Sequence, residues 1–241
     1  MIKLSVIVPC YNESKNIPLI LEKFDSVIKR KDIEVILVNN GSNDGSQELM
    51  ESLIINYPFA RIVHVKVNEG YGFGILSGLR EAKGDYLGWT HADMQTDPYD
   101  VIKALDIIEE QGNLTQIYVK GERKNRPLFD QLFTTGMSIF ETFYLKEKLY
   151  DINAQPNIFH VSFFKSWTAP PHDFSLDLYT LYMARQQKID IIRFNVIFPE
   201  RLHGESSWNT GLSAKYKFIK RTLSFSKKLK KELKNVYRPS H

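Results

Sequence analysis

The sequence predicts an α/β fold in which a mostly parallel sheet is flanked by helices. Three observations carry this. Short β-branched apolar runs alternate with stretches of helical periodicity over the first hundred residues. Three of those runs break into polar loops, "PCYNES", "NNGSNDGS" and "HADMQTDP". The spacing between runs suits right-handed crossovers between parallel strands. At 241 residues the chain is long enough for a sizeable core, and its 43% hydrophobic and 25% charged content is ordinary for a soluble globular protein.

Taken in order, "KLSVIVPCYN" reads as a strand ended by Pro and polar residues. "NIPLILEKFDSVIKR" carries Ile17, Ile20, Leu21, Phe24, Val27 and Ile28 as a helical stripe with Pro18 in its first turn. "IEVILVNNGSNDGS" is a buried strand breaking into a turn, "QELMESLIINY" a helix and "ARIVHVKVN" a third strand. "GYGFGILSGLREAKG" is a Gly-rich lead into a helix, and "DYLGWTHAD" is the fourth strand. Beyond Asp97 the pattern loosens. "PYDVIKALDIIEEQG" reads as helix, "TQIYVKGER" as strand, "PLFDQLFTTGMSIFETFYL" as an aromatic-rich helix and "INAQPNIFHV" as a strand pair. "SLDLYTLYMARQQK" is a helix and "IDIIRFNVIFPERLHG" a strand running into a loop. The expected organisation is one domain over 1–210, with a nucleotide-binding half at 1–97 and an acceptor half at 98–210, followed by a tail at 211–241.

No apolar run approaches the roughly 20 residues that span a bilayer. "MIKLSVIVPC" is too short in its apolar part for a signal sequence and reads as the first strand. The lone Cys10 excludes an internal disulfide and fits a reducing cytosol, so a cytoplasmic location is expected. The net charge of +4 conceals an asymmetry: Lys215 to Arg238 holds ten Lys/Arg against Glu232, a local +9 that leaves the remainder near −5. Leu212, Tyr216, Ile219, Leu223 and Leu233 lie at helical spacing among these lysines. Such a helix fits an anionic membrane surface, peripheral on its inner face, or a solvated helix packed on the domain. The tail aromatics form no recognisable RNA or DNA module, and no nucleic-acid partner is expected.

In a parallel sheet the carboxyl ends of the strands lie along one edge, so the three polar loops converge on one crevice. "GYGFG" lacks the spacing of a dinucleotide fingerprint, and there is no Walker lysine pattern. Asp93 and Gln95 are hard oxygen ligands, suited to Mn²⁺ or Mg²⁺ with bound phosphates rather than to a closed zinc cage. Such a cation would neutralise the diphosphate of a leaving nucleotide.

The motifs "SVIVPCYNESKNI", "EVILVNNGSNDGS", "NEGYGFGILSGLREAKGDY" and "HADMQTDP" follow in order and spacing the pattern of family-two inverting glycosyltransferases with the GT-A fold. "YVKGERKNRP", "DINAQPNIF" and "FPERLHGESS" resemble the dolichol-phosphate mannose synthase branch of that family, and the resemblance covers residues 3 to about 208. It implies that Pro9, Tyr11 and Glu13 line the nucleoside and that Asn40 stands where the family usually has an Asp reading the base. It adds Ser42 and Gly74 to the donor-binding set and places Asp93 on the second Asp of the metal motif, with Gln95 assisting. Arg201, Gly204, Glu205 and Ser206 would close over the diphosphate.

The chain departs from the family pattern in three places. His91-Ala92-Asp93 replaces Asp-x-Asp; an imidazole at 91 is a candidate metal ligand for Mn²⁺, or a hydrogen-bonding partner of the sugar or a loop carbonyl. Asn39-Asn40 replaces Asp-Asp, and an amide that both donates and accepts fits a pyrimidine edge. Arg123 fits one of two acceptor-side arginines, whereas Thr135 stands near the position of the other. A hydroxyl acceptor would need a general base, for which Asp173 and Asp177 are the candidates; Asp173 could instead cap a helix. The expected function is transfer of a sugar from a nucleotide-sugar donor to a hydroxyl acceptor in cell-surface glycan assembly. The alternatives are transfer to a lipid-linked polyprenyl phosphate, a nucleotidyltransferase, and a non-catalytic sugar-nucleotide-binding protein.

Overall fold

The computed structural model describes residues 1–124, 128–199 and 212–236. By contact the chain forms two compact units, Met1–Pro127 with Asn153–Gly204, and Leu128–Ile152 with Glu205–His241.

The first unit holds a seven-stranded sheet among the described residues. Its elements in chain order are β1 (Leu4–Cys10), α1 (Ile17–Val27), β2 (Ile33–Asn40), α2 (Ser46–Leu53, extended by a 3-10 turn at Ile54–Asn56) and β3 (Ala60–Val65). There follow α3 (Tyr71–Glu81), β4 (Tyr86–Trp89), α4 (Pro98–Glu110) and β5 (Ile117–Lys124). Helix α5 (Leu128–Leu145) belongs to the second unit. The first unit resumes with β6 (Asn157–His160), α6 (Val161–Lys165), α7 (Ser175–Gln186) and β7 (Asp190–Ile197). The sheet order is β3-β2-β1-β4-β6-β5-β7. The first four strands are mutually parallel, with β1 in register with β2 from Leu4↔Ile33 to Cys10↔Asn39. β6 runs antiparallel to both β4 and β5, and β7 returns parallel to β5.

Side-chain alternation along β1 and β2 assigns the two faces. Leu4, Val6, Val8, Val35 and Leu37 pack with Ile20, Leu21 and Phe24 of α1 and with Val101, Leu105 and Ile108 of α4. On the other face α3 lies close to the sheet, because Gly78 has no Cβ to strike Ile7 Cγ2, which would lie 2.7 Å away. Phe159, Phe163, Trp167 and Tyr179 continue that face as edge-to-face aromatic pairs.

The strand pair expected over "INAQPNIFHV" is corrected to the single strand β6. Residues 151–156 form turns: Pro156 has no N–H for a ladder, and the Lys120 ammonium takes the Ala154 carbonyl instead. At the amino-terminal edge, Glu34 accepts from Ser5 Oγ (2.6 Å), Arg61 Nε (2.8 Å) and the Lys83 amide (2.9 Å). Burial raises this carboxyl, yet those bonds hold it below the ordinary value. This edge is tied shut, away from the polar loops.

The second unit pairs α5 with α8 (Leu212–Val236). Ser226 Oγ donates to Glu141 Oε2 at 2.7 Å, and Lys230 Nζ donates to the Tyr144 carbonyl at 2.9 Å. Partners that rise together in number mean that the two helices run in the same direction. Burial raises the Glu141 carboxyl from its ordinary 4.5 to about 7, opposed by the Ser226 bond. An acid with a raised folded pKa stabilises the fold below about pH 4.5 and loses that contribution as pH climbs through about 7. Hydrogen-exchange protection of α5 and α8, corrected for intrinsic rates, is therefore predicted to fall between pH 5 and 8. Glu141→Gln should flatten that slope; an unchanged slope in the variant contradicts the assignment.

Candidate functional site

Side chains weld the loops after β1 and β2 together. The Asn12 amide donates to Ser42 Oγ (3.1 Å), the Asn43 amide to Asn12 Oδ1 (2.9 Å), the Ser14 amide to Asp44 Oδ2 (3.1 Å) and the Glu13 amide to Ser46 Oγ (3.1 Å). Gly41 makes the turn possible: its φ is +72°, and a Cβ there would sit 2.6 Å from the Asn68 amide nitrogen. Around this weld Pro9 is half-buried at the end of β1, and Tyr11 is exposed. The Glu13 carboxylate accepts from Asn16 Nδ2 at 2.5 Å.

Asn40 is buried, and its Nδ2 donates to the Gly70 carbonyl (3.1 Å) and to Asn68 Oδ1 (3.4 Å). Two acceptors fix the amide orientation. Its donor is thus committed inward and its Oδ1 is enclosed, so Asn40 does not present the donor–acceptor edge expected for a base. Gly74 serves the same packing, since a Cβ there would meet Asn40 Cγ at 2.9 Å.

The loop after β4 is the third component. Thr90 and Thr96 join their hydroxyls at 2.8 Å and close it into a compact turn. Asp93 is buried and accepts the Gln95 amide at 3.1 Å, which fixes the carboxylate against its own loop. Gln95 Nε2 donates to the Pro199 carbonyl at 3.0 Å, which orients the side chain. Arg123, at the end of β5, lies 5.4 Å from the ring centroid of Phe198, next to that same Pro199. His91 is half-buried and stands 6.0 Å from the Tyr71 ring. No group of three or more His, Cys, Asp or Glu among the described residues is placed to hold a metal by itself. The donors that are present, one carboxylate and one amide oxygen, fit a hard cation whose remaining ligands come from a diphosphate. Arg201, Gly204, Glu205 and Ser206 lie outside the described residues.

Beneath this loop is a buried polar network. Lys120 is 0% exposed, and its ammonium donates to the Ala154 carbonyl and to Asn157 Oδ1, both at 2.6 Å. Tyr118 Oη also donates to Asn157 Oδ1. Asp177, 1% exposed on α7, accepts on Oδ1 from Trp89 Nε1 (3.2 Å), Gln155 Nε2 (3.3 Å) and Asn157 Nδ2 (3.5 Å). Burial pushes the Asp177 carboxyl up, while Lys120 and then His91 pull it down. Gln155 also donates to Tyr71 Oη at 3.2 Å, and Tyr71 stacks on Phe174 at 4.6 Å. Asp173 accepts the Ser175 amide at 2.8 Å and so starts α7, while its own backbone and that of His172 press on Gly70 and Gly72.

The structure therefore brings Tyr11, Glu13 and Ser42 to one loop pair, and His91, Asp93 and Gln95 to one loop. It joins Asp177 to Trp89 at the end of β4. Lys120, Gln155, Asn157 and Tyr71 are absent from the expected site. Lys120 had a signal, a lysine inside the apolar strand "TQIYVKGER"; the others look like ordinary polar residues until the fold brings them together.

Comparison with known proteins gives the family and the fold. The description "Glycosyl transferase family 2" matches residues 5–168, and the chain belongs to that family. An undecaprenyl-phosphate 4-deoxy-4-formamido-L-arabinose transferase of Yersinia enterocolitica is 32% identical over 112 residues, 45% of this chain and 34% of that protein. The dolichol-phosphate mannosyltransferase of Pyrococcus furiosus is 28% identical over 137 residues, 56% of this chain and 39% of that one. The matched stretch thus spans well under half the length of these curated relatives. Among solved structures, the mannosyltransferase PcManGT of Pyrobaculum calidifontis, in complex with GDP-Man and Mn²⁺, superposes with a TM-score of 0.64 at 18% identity, covering 88% of this chain and 59% of that one. Glucosyl-3-phosphoglycerate synthase of Mycobacterium tuberculosis, with Mn²⁺, UDP and glucosyl-3-phosphoglycerate, gives 0.64 at 16% identity, covering 84% and 73%. These two likenesses establish a GT-A-like fold.

Gly121 controls the network's geometry, because a Cβ there would lie 2.0 Å from the Gln155 carbonyl oxygen. Gly121→Ala is predicted to destabilise the protein by about 3 kcal/mol or more in urea unfolding. A change below about 0.5 kcal/mol would show that the close approach is not needed.

Proposed function

We propose that this chain moves a sugar from a nucleotide donor to the phosphate of a polyprenyl phosphate, with inversion at the sugar. One observation carries the choice of acceptor. The two carboxylates that could serve a hydroxyl acceptor as general base are both engaged in the fold: Asp177 is buried under three donors, and Asp173 holds the start of α7. An acceptor phosphate arrives as an anion and needs no base. The names of the curated relatives, transferases of undecaprenyl phosphate and dolichol phosphate, support the same reading.

In this reading the welded loops after β1 and β2 hold the nucleoside between Tyr11 and Glu13, with Ser42 at their junction. Asp93, with Gln95 Oε1, would hold a Mn²⁺ or Mg²⁺ ion, which when bound neutralises the leaving diphosphate. His91 orients the sugar or contributes to the cation. Arg123 holds the acceptor phosphate, whose oxygen forms a bond to the anomeric carbon as the bond from that carbon to the nucleoside diphosphate breaks on the opposite face. The network around Lys120 fixes Trp89 and Asn157, and through them the end of β4 that carries this loop.

A second reading, a hydroxyl acceptor, is favoured by one fact: Gln155 bridges Asp177 to Tyr71, whose ring stands 6.0 Å from His91 of the loop after β4. Two experiments separate these readings and test the site. In calorimetry, Mn²⁺ should strengthen nucleoside diphosphate binding, and Asp93→Ala should remove at least tenfold of that affinity, with a smaller loss in His91→Ala. Equal affinity with and without metal contradicts the site. With a panel of nucleotide sugars, a polyprenyl phosphate should be glycosylated, and Asp177→Asn should keep turnover within about fivefold. Product formed only on a sugar hydroxyl, with a loss of roughly a hundredfold in Asp177→Asn, would replace the lipid-phosphate reading by the hydroxyl one.

A further inference from the structure

The second unit carries an unusual pair of surfaces. On α5 the buried positions Ser138, Glu141 and Leu145 recur on one face, and the opposite face exposes Ile139, Phe140 and Phe143, with Phe143 81% exposed. This is a helical stripe of large apolar side chains turned to solvent, the kind of surface that marks an interaction site rather than a scattered exposed residue. On α8 the buried Ser226 and Leu229 oppose exposed Lys220, Lys227 and Lys231. One helix thus presents aromatic and aliphatic carbon, and its neighbour presents positive charge.

The two stripes face the same way. At about 100° per residue, the apolar stripe on α5 lies about 120° round the helix from the contact made by Glu141 and Tyr144. The lysine stripe on α8 lies about 100° from the contact made by Ser226 and Lys230, in the opposite rotational sense. Because the helices run in the same direction, these turns bring both stripes to one side of the pair, diverging by about 40°. Side chains as long as lysine and phenylalanine bridge such an angle.

We propose that this side of the α5–α8 pair seats on an anionic lipid bilayer, with Ile139, Phe140 and Phe143 in the acyl boundary and the α8 lysines at the headgroups. A surface that needs both apolar depth and anionic charge in one plane fits a bilayer interface. A second copy of this chain could bury the apolar stripe but would leave the lysine row without an anionic partner, which a bilayer surface supplies. No helix among the described residues is long and apolar enough to cross a membrane. The surface is a property of the helix pair and stands whichever acceptor the site uses.

The test is sedimentation of the full chain with vesicles of phosphatidylethanolamine and phosphatidylglycerol, against vesicles of phosphatidylcholine alone. The anionic vesicles should take up at least tenfold more protein, and 0.5 M salt should reduce that difference. Lys227→Glu with Lys231→Glu should lower anionic partition by tenfold or more, each charge removed being worth about fivefold. Phe143→Asp should lower partition on the anionic vesicles by tenfold or more, whereas Phe143→Leu should retain it; circular dichroism checks that helicity is kept, and the exposed position leaves the fold intact. Equal partition of the unmodified protein onto both vesicles, or wild-type partition by the Phe143→Asp chain, overturns the proposal. A concentration-dependent dimer abolished by Phe143→Asp also overturns it, by assigning the face to a second copy.

Discussion

An ammonium group out of contact with water must be fully compensated, and Lys120 is such a group. Transfer of a bare cation into a protein interior costs several kcal/mol even after relaxation, so its two short bonds to the Ala154 carbonyl and Asn157 are conditions of folding. Asn157 passes the constraint on, since its amide reaches Gln155 and Asp177 while its oxygen serves Lys120 and Tyr118. Asp177 then fixes the indole at the end of β4. One buried charge in β5 thereby sets the relation of β4, β6 and α7, the elements beside the loop that carries His91, Asp93 and Gln95. It also explains why β6 is short: the residues before it turn their carbonyls and amides inward to serve the network instead of extending a ladder.

The sheet treats its two edges differently. At the amino-terminal edge Glu34, Ser5 and Arg61 form a closed set of bonds with the backbone of 83–84, leaving little there for a ligand. At the carboxyl edge, side chains bind loop backbone to loop backbone, as at Asn12 with Ser42 and Asn43. Rigidity there comes from Asn, Ser and Asp acting on main-chain groups, while Tyr11 and half-buried His91 remain at the rim. A site whose frame is fixed in this way meets a ligand with little ordering of its own to do.

Much of this was legible in the sequence. The period of apolar residues located the strands and helices of the first hundred residues, and the polar endings of β1, β2 and β4 marked the edge on which the candidate site lies. Asp93 and Gln95 could be selected because hard oxygen donors at a strand end have few bland explanations in combination with two neighbouring loops. Other features depend on contacts between distant segments. The commitment of Asn40 to Gly70 and Asn68 depends on a loop 28 residues away, and nothing local distinguishes that amide from one facing a base. Asp177 read as a candidate base because a hydroxyl acceptor would need a carboxylate, whereas its three donors come from β4, β6 and the turn before β6. The pairing of α5 with the C-terminal helix joins segments more than eighty residues apart, and helical periodicity alone cannot say which two stripes meet.

The central claim is that the donor and its cation sit at the carboxyl edge of β1, β2 and β4. Paramagnetic broadening tests it directly: Mn²⁺ is added to the isotopically labelled protein with and without a nucleoside diphosphate, and amide signals are followed. With the nucleotide present, amides at 91–95 and those of Asn12 and Ser42 should broaden, while Ser5, Lys83 and Gly84 at the opposite edge stay sharp. Broadening centred on the opposite edge, or none at 91–95 when both ligands are present, would contradict the account.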